Sequence, residues 1–141
     1  MEGLDRFTKA QKCYYETALK EVKEGHKESH WIWYIFPQLK GLGYSSTARE
    51  YAIDGSEEAV AYMNDPELRA HLIEISQALL DSDVADAADI FGYPDDLKVR
   101  SCMTLFMNVC PEEKVFSQVL DKYFNGEQDE KTLELLGYSS M

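Results

Sequence analysis

The 141-residue chain carries 14 Lys and Arg against 26 Asp and Glu, and its formal net charge is −12 at pH 7. So acidic a chain lacks the basic surface that contacts with nucleic-acid phosphates require, which excludes nucleic acid as the expected partner. Apolar residues make up 45% of the sequence, as in an ordinary globular domain. No apolar run approaches the ~20 residues of a membrane-spanning helix, so we expect no membrane association.

The first two predicted helices lie on either side of a break at Gly25. Apolar residues recur at the helical period from about Leu4 to Glu24, which predicts one long amphipathic helix. Ser29 is expected to cap a short helix through the aromatic run that follows, and Pro37 to end it. A buried strand is the alternative for so short a run, but the sequence contains no second strand-like run to pair with it.

Several shorter helices are predicted in the middle of the chain. Residues 47–53 indicate one of them, and Ser56 is expected to cap the next. Asp65-Pro66 is a clear helix start, with a hydrogen-bond acceptor at the N-cap and proline at the first position. Asp83 is expected to cap a short helix that ends in Ile90-Phe91-Gly92. The helix that Asp65 opens has one apolar face, formed by Leu68, Leu72, Ile75 and Leu79.

Pro94 is expected to start a helix that runs to about Val109 and is apolar around most of its circumference. Such a helix is typically buried, so we predict that it forms the centre of the fold. Two further helices are predicted over residues 115–124 and 129–136, the second stopped by Gly137. The sequence therefore predicts one all-α domain over residues 1–141, with about seven to nine helices around a central helix at 94–109. Its core should include Trp31, Trp33, Phe36, Met103 and Phe106.

The most distinctive string in the chain is Ser29-His30-Trp31-Ile32-Trp33-Tyr34-Ile35-Phe36-Pro37-Gln38-Leu39-Lys40-Gly41-Leu42-Gly43. It resembles the hallmark of an uncharacterised family, domain of unknown function 1810, which is sometimes mislabelled calpastatin. Further matching stretches lie within residues 5–11, 47–52 and 90–106, so the resemblance covers almost the whole chain. It implies a compact all-helical domain and brings no established activity.

The aromatic string has a polar side chain at each end of its apolar run, His30 and Gln38. One interpretation is a pocket wall, in which Trp31 or Trp33 stacks on a flat ligand and His30 acts as general acid or base. The other is a core segment whose polar ends bond to the backbone. The residues alone leave both interpretations open.

Three basic residues, Arg49, Lys98 and Arg100, are candidates for binding an anionic ligand, because arginine side chains suit phosphate or carboxylate. The last two also lie near a predicted helix start. Asp95 and Asp96 occupy the same helix start. They can instead hold these bases in a structural ion-pair network.

Ser101 and Thr104 follow on a polar stripe of the central helix and are also candidate ligand contacts. Their hydroxyls can equally bond back to carbonyls of the preceding turn. Neither hydroxyl has a neighbouring residue that could act as a general base, so neither is proposed as a nucleophile.

No metal site is expected, since His26 and His30 are four residues apart but no Cys or third His lies at ligand spacing. The cysteines Cys13, Cys102 and Cys110 are odd in number and lack any CxxC spacing, which indicates reduced thiols in a cytoplasmic protein. GxSxG, P-loop, HExxH and GxGxxG motifs do not occur in the sequence. The cofactor, the reaction and the oligomeric state therefore stay open.

Two functions are compatible with these features. The first is a binding protein or enzyme for a small anionic ligand, of nucleotide or sugar-phosphate type, held between residues 30–38 and the basic side chains. The second is a non-catalytic interaction module that uses the acidic surface of residues 54–97. That segment holds twelve acids against the single base Arg69, a net charge of −11.

Overall fold

The computed structural model describes residues 2–137. Within this range a short 3-10 turn at Glu2–Leu4 precedes nine α-helices and no strand is present, which confirms the predicted all-α class. None of these helices is long and apolar enough to cross a membrane. The helices are α1 (Asp5–Glu24), α2 (Ile32–Ile35), α3 (Ser46–Glu50), α4 (Ser56–Asn64), α5 (Pro66–Asp81), α6 (Ala87–Phe91), α7 (Asp95–Val109), α8 (Val115–Phe124) and α9 (Glu130–Leu136).

The ends of the longer helices follow local chemistry. Gly25 ends α1 in the left-handed conformation, with φ at 79°, and its N–H donates to the last carbonyls of the helix. Asp65 caps α5 by accepting hydrogen bonds from the N–H groups of Glu67 and Leu68 at 3.0 and 3.1 Å. Both boundaries lie where the sequence predicts them.

The prediction that Ser29 caps the aromatic helix is wrong. α2 begins only at Ile32 and has no side-chain cap. The Ser29 hydroxyl instead donates to the Glu21 carboxylate at 2.7 Å. A buried carboxylate must collect donors from its surroundings, and here it takes the side chain that sequence reasoning assigned to α2.

α3 is shorter than predicted because the backbone after it forms hydrogen bonds with the segment that follows Pro37. It ends at Glu50, and Ile53 forms an isolated parallel bridge with Leu39. The Ile53 N–H donates to the Gln38 carbonyl and the Ile53 carbonyl accepts from the Lys40 N–H, both at 2.8 Å. These two hydrogen bonds hold the residues after Pro37 against the loop that follows α3.

Two further caps are assigned wrongly from the sequence. Gly55 occupies the N-cap of α4, and Ser56 is the first residue of the helix. Asp86, not Asp83, caps α6 by accepting from the Ala88 N–H at 3.0 Å. In both cases several residues able to cap precede the helix, and the sequence does not rank them.

α7 is the central helix, as predicted. It packs against α2, α4, α6, α8 and α9. Its apolar side chains belong to one core that extends from Leu4 to Leu120. Those that are at most 1% exposed are Val99, Cys102, Met103, Leu105 and Phe106.

Four of the five side chains predicted for the core are buried, and Trp33 is the exception. Trp31 is 1% exposed, and Phe36, Met103 and Phe106 are fully buried. Trp33 is only partly buried and packs against the edge of the core. The other three side chains of α2 are buried, and Trp33 lies on the one side of this helix that faces outward.

Candidate functional site

A cleft of about 240 Å³ lies between the aromatic segment, the start of α3 and the start of α7. We call it the Trp33 cleft. Its lining side chains include two tryptophans, a histidine, two hydroxyls and three charged groups. They are His30, Trp31, Trp33, Ser45, Thr47, Lys27, Asp95 and Lys98.

The two tryptophans of the cleft differ in availability. Trp31 is a core side chain whose indole N–H donates to Glu21 at 2.9 Å, so it borders the cleft without offering a free ring. Trp33 is partly exposed, and its ring edge lies against Gly43. A Cβ on Gly43 would stand 2.7 Å from Cη2 of Trp33 and 2.6 Å from Cβ of Ala48. The absence of a side chain at Gly43 is therefore required for Trp33 to lie where it does.

The charged groups form a chain with Asp95 at its centre. The Asp95 carboxylate is 2.8 Å from Nζ of Lys98 and 3.1 Å from Nζ of Lys27. Burial raises the pKa of Asp95, but the hydrogen bonds from Lys98 and Lys27 outweigh burial and hold that pKa below its ordinary value. Two ammonium groups thus share one carboxylate, which leaves one net positive charge in a protein whose formal charge is −12.

Each lysine also lies over an aromatic ring. Nζ of Lys98 is 4.5 Å from the ring centroid of Trp33, and Nζ of Lys27 is 5.2 Å from that of Trp31. The Lys27 side chain is only 7% exposed, so its charge is largely removed from water. A cation in such surroundings interacts strongly with any anion that reaches it.

The uncharged polar groups lie at the rim of the cleft. His30 is exposed, and its carbonyl accepts a hydrogen bond from the Tyr34 hydroxyl at 3.1 Å. The Ser45 hydroxyl caps α3 by accepting from the Ala48 N–H at 3.1 Å. Thr47 is exposed on the same rim. The rim therefore presents an imidazole and two hydroxyls toward solvent.

Sequence reasoning missed Glu21, which fixes the loop that carries Lys27 and His30. The carboxylate accepts from the N–H groups of Glu28 and Ser29 at 2.8 and 3.0 Å, in addition to its bonds with the Ser29 hydroxyl and the Trp31 indole. Burial raises the pKa of Glu21, but the hydrogen bonds from Ser29, Glu28 and Trp31 lower it to about 2. The available signal was its spacing, since Glu21 follows the buried Ala18 by three residues on α1.

Three of the predicted contacts lie away from the cleft. Gln38 is 4% exposed and buried behind the aromatic segment, and Arg49 is exposed on α3 without lining the cleft. Arg100 lines a separate cavity of about 550 Å³, where it lies 3.7 Å from the Asp129 carboxylate. At 3.6 residues per turn, Arg100 lies about 200° around α7 from Lys98, so the two side chains face different sides of the helix.

Ser101 and Thr104 also lie outside the cleft, and their hydroxyls bond back along α7. Ser101 donates to the Leu97 carbonyl at 3.2 Å, and Thr104 donates to the Arg100 carbonyl at 2.8 Å. Thr104 also accepts from the Asp129 N–H at 2.9 Å, which ties α7 to the start of α9. The structural interpretation of this stripe therefore describes what these two hydroxyls do.

Metal-ligating and thiol groups are dispersed. In the described part of the chain, no three His, Cys, Asp or Glu side chains lie close enough together to hold a metal ion. Cys102 and Cys110 are buried, and burial raises the pKa of both thiols, whereas Cys13 is exposed. None of the three lines the Trp33 cleft.

The comparisons with known proteins agree with the fold. The family described as "Protein of unknown function (DUF1810)" matches residues 1–136. The structure is similar to the crystal structure, at 1.38 Å, of the conserved hypothetical protein Rv1873 from Mycobacterium tuberculosis. The two are 40% identical, the similarity covers 95% of this chain and 96% of that chain, and the TM-score is 0.93. No curated protein matches the chain. Because the family match spans nearly the entire sequence, this protein belongs to the DUF1810 family.

Proposed function

We propose that the Trp33 cleft binds a small anionic ligand of the nucleotide or sugar-phosphate class. The observation that carries the proposal is the pair of ammonium groups, Lys27 and Lys98, which share the single carboxylate of Asp95 beside the partly exposed ring of Trp33. A residual positive charge in an acidic protein favours an anion at this point. The neighbouring ring offers a surface for a flat or apolar part of the same ligand.

The ligand's anionic group would bind at the lysines. An ammonium group has three donors, and Asp95 takes one from each lysine, so further donors are left for a phosphate or carboxylate. The hydroxyls of Ser45 and Thr47 lie across the cleft and would complete the contacts. In this arrangement Asp95 is a positioning residue, because it orients both lysines and does not itself favour an anion.

The size of the cleft limits the ligand. Its volume of about 240 Å³ is below the roughly 300–1,000 Å³ of pockets that enclose drug-sized ligands. A phosphate with one sugar or one base therefore fits better than a dinucleotide. The remainder of any larger ligand would extend into solvent past His30.

His30 is the candidate general acid or base if the ligand is a substrate. Histidine is the side chain that most often serves as general acid or base in enzymes, and His30 lies at the mouth of the cleft beside the proposed position of the ligand. A protein that only binds needs no such group. His30→Ala should therefore retain binding and abolish turnover if the protein is an enzyme.

The test is a thermal-shift screen with inorganic phosphate, nucleoside monophosphates and sugar phosphates. A ligand at one hundred times its Kd adds ~2.7 kcal/mol to the stability of the folded state, which shifts Tm measurably. Fluorescence of Trp33 should change with the same compound. Lys98→Met removes one charge but keeps the aliphatic stem, so we expect it to lose the shift.

Lys40→Met is the matched control, because Lys40 is exposed and far more weakly paired, 4.0 Å from Asp54. It should keep the full shift. A shift that survives in Lys98→Met, or that disappears equally in Lys40→Met, would show that binding does not depend on the cleft. If no compound in the three classes shifts Tm, the proposal is wrong.

A further inference from the structure

A second groove, of about 740 Å³, follows the outer side of α5. Five of its lining residues recur along the helix at spacings of four, three, four and four, so they form one stripe over the full length of α5. At 1.5 Å per residue, a helix of 16 residues is about 24 Å long. The stripe consists of Pro66, Ala70, Ile73, Gln77 and Asp81. We call this surface the α5 groove.

The floor of the α5 groove is apolar and shallow. Ile73 is partly buried, and Ala70 and Ala78 are small, so another backbone can approach α5 closely. Helices pack at interaxial distances of 8–10 Å, and the side chains at the contact set that distance. The opposite side of α5 is already used, because Leu68, Leu72, Ile75 and Leu79 are at most 1% exposed in the core.

The rim of the groove is acidic once internal pairs are counted. Arg69 lines the groove, but its guanidinium forms an ion pair with Glu113. Apart from that pair, the groove is lined by two carboxylates, Glu74 and Asp81, and one ammonium group, Lys23. Glu74 accepts a hydrogen bond from the Tyr15 hydroxyl at 2.6 Å, which fixes the position of that carboxylate.

All the residues that line the groove except Lys23 belong to residues 54–97, a segment with twelve acids and one base. The formal charge of −12 therefore attracts a basic partner before contact is made. A second copy of the chain is a poor occupant, because each copy carries a formal charge of −12 and the two would repel.

We propose that the α5 groove binds a basic amphipathic helix of another protein. The apolar stripe of that helix would lie on Ala70, Ile73 and Ala78, and its flanking Lys and Arg would face Glu74 and Asp81. Helix-in-groove recognition uses apolar anchors at i, i+3, i+4 and i+7 of the bound helix, and these anchors would face the apolar floor of the α5 groove. The inference does not depend on the Trp33 cleft.

The probe is a fluorescein-labelled amphipathic peptide of Leu and Lys, about as long as α5, followed by fluorescence anisotropy. The same peptide with Glu in place of Lys is the charge control. We expect the Lys peptide to bind, the Glu peptide to bind at least about tenfold more weakly, and added salt to weaken the Lys peptide, because exposed charges are screened over ~8–10 Å.

Two protein variants separate the groove from the overall charge. Ile73→Asp places a carboxylate on the groove floor, and Val60→Asp places one at an apolar side chain of α4 that is 43% exposed and outside the groove. Both variants add the same negative charge, which by itself would strengthen binding of a basic peptide. We expect Ile73→Asp to weaken binding about tenfold and Val60→Asp to retain it.

Ala70→Asp repeats the test at an exposed position, where folding is not at risk. Circular dichroism verifies that each variant is folded. Equal affinity of the Lys peptide for wild type, Ile73→Asp and Ala70→Asp would overturn the proposal, as would equal binding of the Glu peptide. A wild-type dimer in sedimentation that Ala70→Asp dissociates would assign the groove to a second copy instead.

Discussion

A single carboxylate, that of Glu21, holds the loop beside the Trp33 cleft in place. It binds two backbone N–H groups, one hydroxyl and the indole of Trp31, and these donors all lie within residues 28–31. A buried carboxylate is stable only with such partners. Glu21 therefore links the end of α1 to the loop that positions Lys27 and His30.

Glu21→Gln should destabilise the protein by ~1–3 kcal/mol at neutral pH, because charge-assisted hydrogen bonds are replaced by neutral ones. The pKa of Glu21 falls from its ordinary value of 4.5 to about 2 on folding. Its stabilisation is therefore complete above pH 4.5 and is lost as the pH falls from 4.5 through about 2. Urea unfolding of both proteins over this range measures the difference, which should shrink in acid.

Glu16→Gln provides the control, because Glu16 is exposed on the same helix. Its unfolding free energy should stay within about 0.5 kcal/mol of wild type. A difference between wild type and Glu21→Gln that is as large at pH 3 as at pH 7 would contradict the role assigned to the Glu21 charge.

At the scale of the element, α5 illustrates which boundaries the sequence specifies. Asp65 and Pro66 form its first turn as predicted, because a side-chain acceptor and a fixed φ act locally. For α6 the sequence predicts Asp83 as the cap, but Asp86 is the cap. Either aspartate can accept from an N–H two or three residues ahead, so local chemistry does not choose between them.

Asp65, which caps a helix, and Asp83, which does not, allow a paired test. Asp65→Ala should lower the unfolding free energy by about 0.5–2 kcal/mol, because two N–H groups at the start of α5 lose their acceptor. Asp83→Ala removes an exposed aspartate that does not cap α6, so its effect should be close to zero. Urea midpoints at equal slopes measure both. Equal losses of unfolding free energy in the two variants would contradict the assignment of Asp65 as a helix cap and of Asp83 as an aspartate that caps no helix.

At the scale of the whole molecule, one core joins α1, α2 and the helices from α4 to α8. α7 contacts five other helices, and α1 packs along α5. Both tryptophans lie in or next to α2, at one side of this core. The arrangement gives no obvious line along which part of the described chain could unfold alone.

We therefore expect one cooperative unfolding transition, in agreement with a single domain. Tryptophan fluorescence reports on α2 and its surroundings, whereas far-UV circular dichroism reports on all helices together. Their urea transitions should coincide within error, as for other small two-state domains. A fluorescence transition at clearly lower urea than the helical transition would show that the aromatic segment unfolds separately.

The sequence by itself determined the fold class, most of the longer helices and the core side of each. Helical periodicity, proline and glycine stops and N-cap residues act within a few positions of each other, so they can be recognised without the tertiary structure. The resemblance of residues 29–43 also indicated the family. The same reasoning placed Trp33 in the core, because composition does not distinguish a ring that faces inward from one at the edge of a cleft.

Only the tertiary structure decided which polar residues meet. Lys27 and Asp95 are far apart in sequence, and their pairing depends on how the α1–α2 loop lies against α7. Lys98 and Arg100 are two residues apart, yet helical geometry turns them to different sides of the same helix. A binding site is a convergence of distant segments, and spacing along the chain carries little information about such convergence.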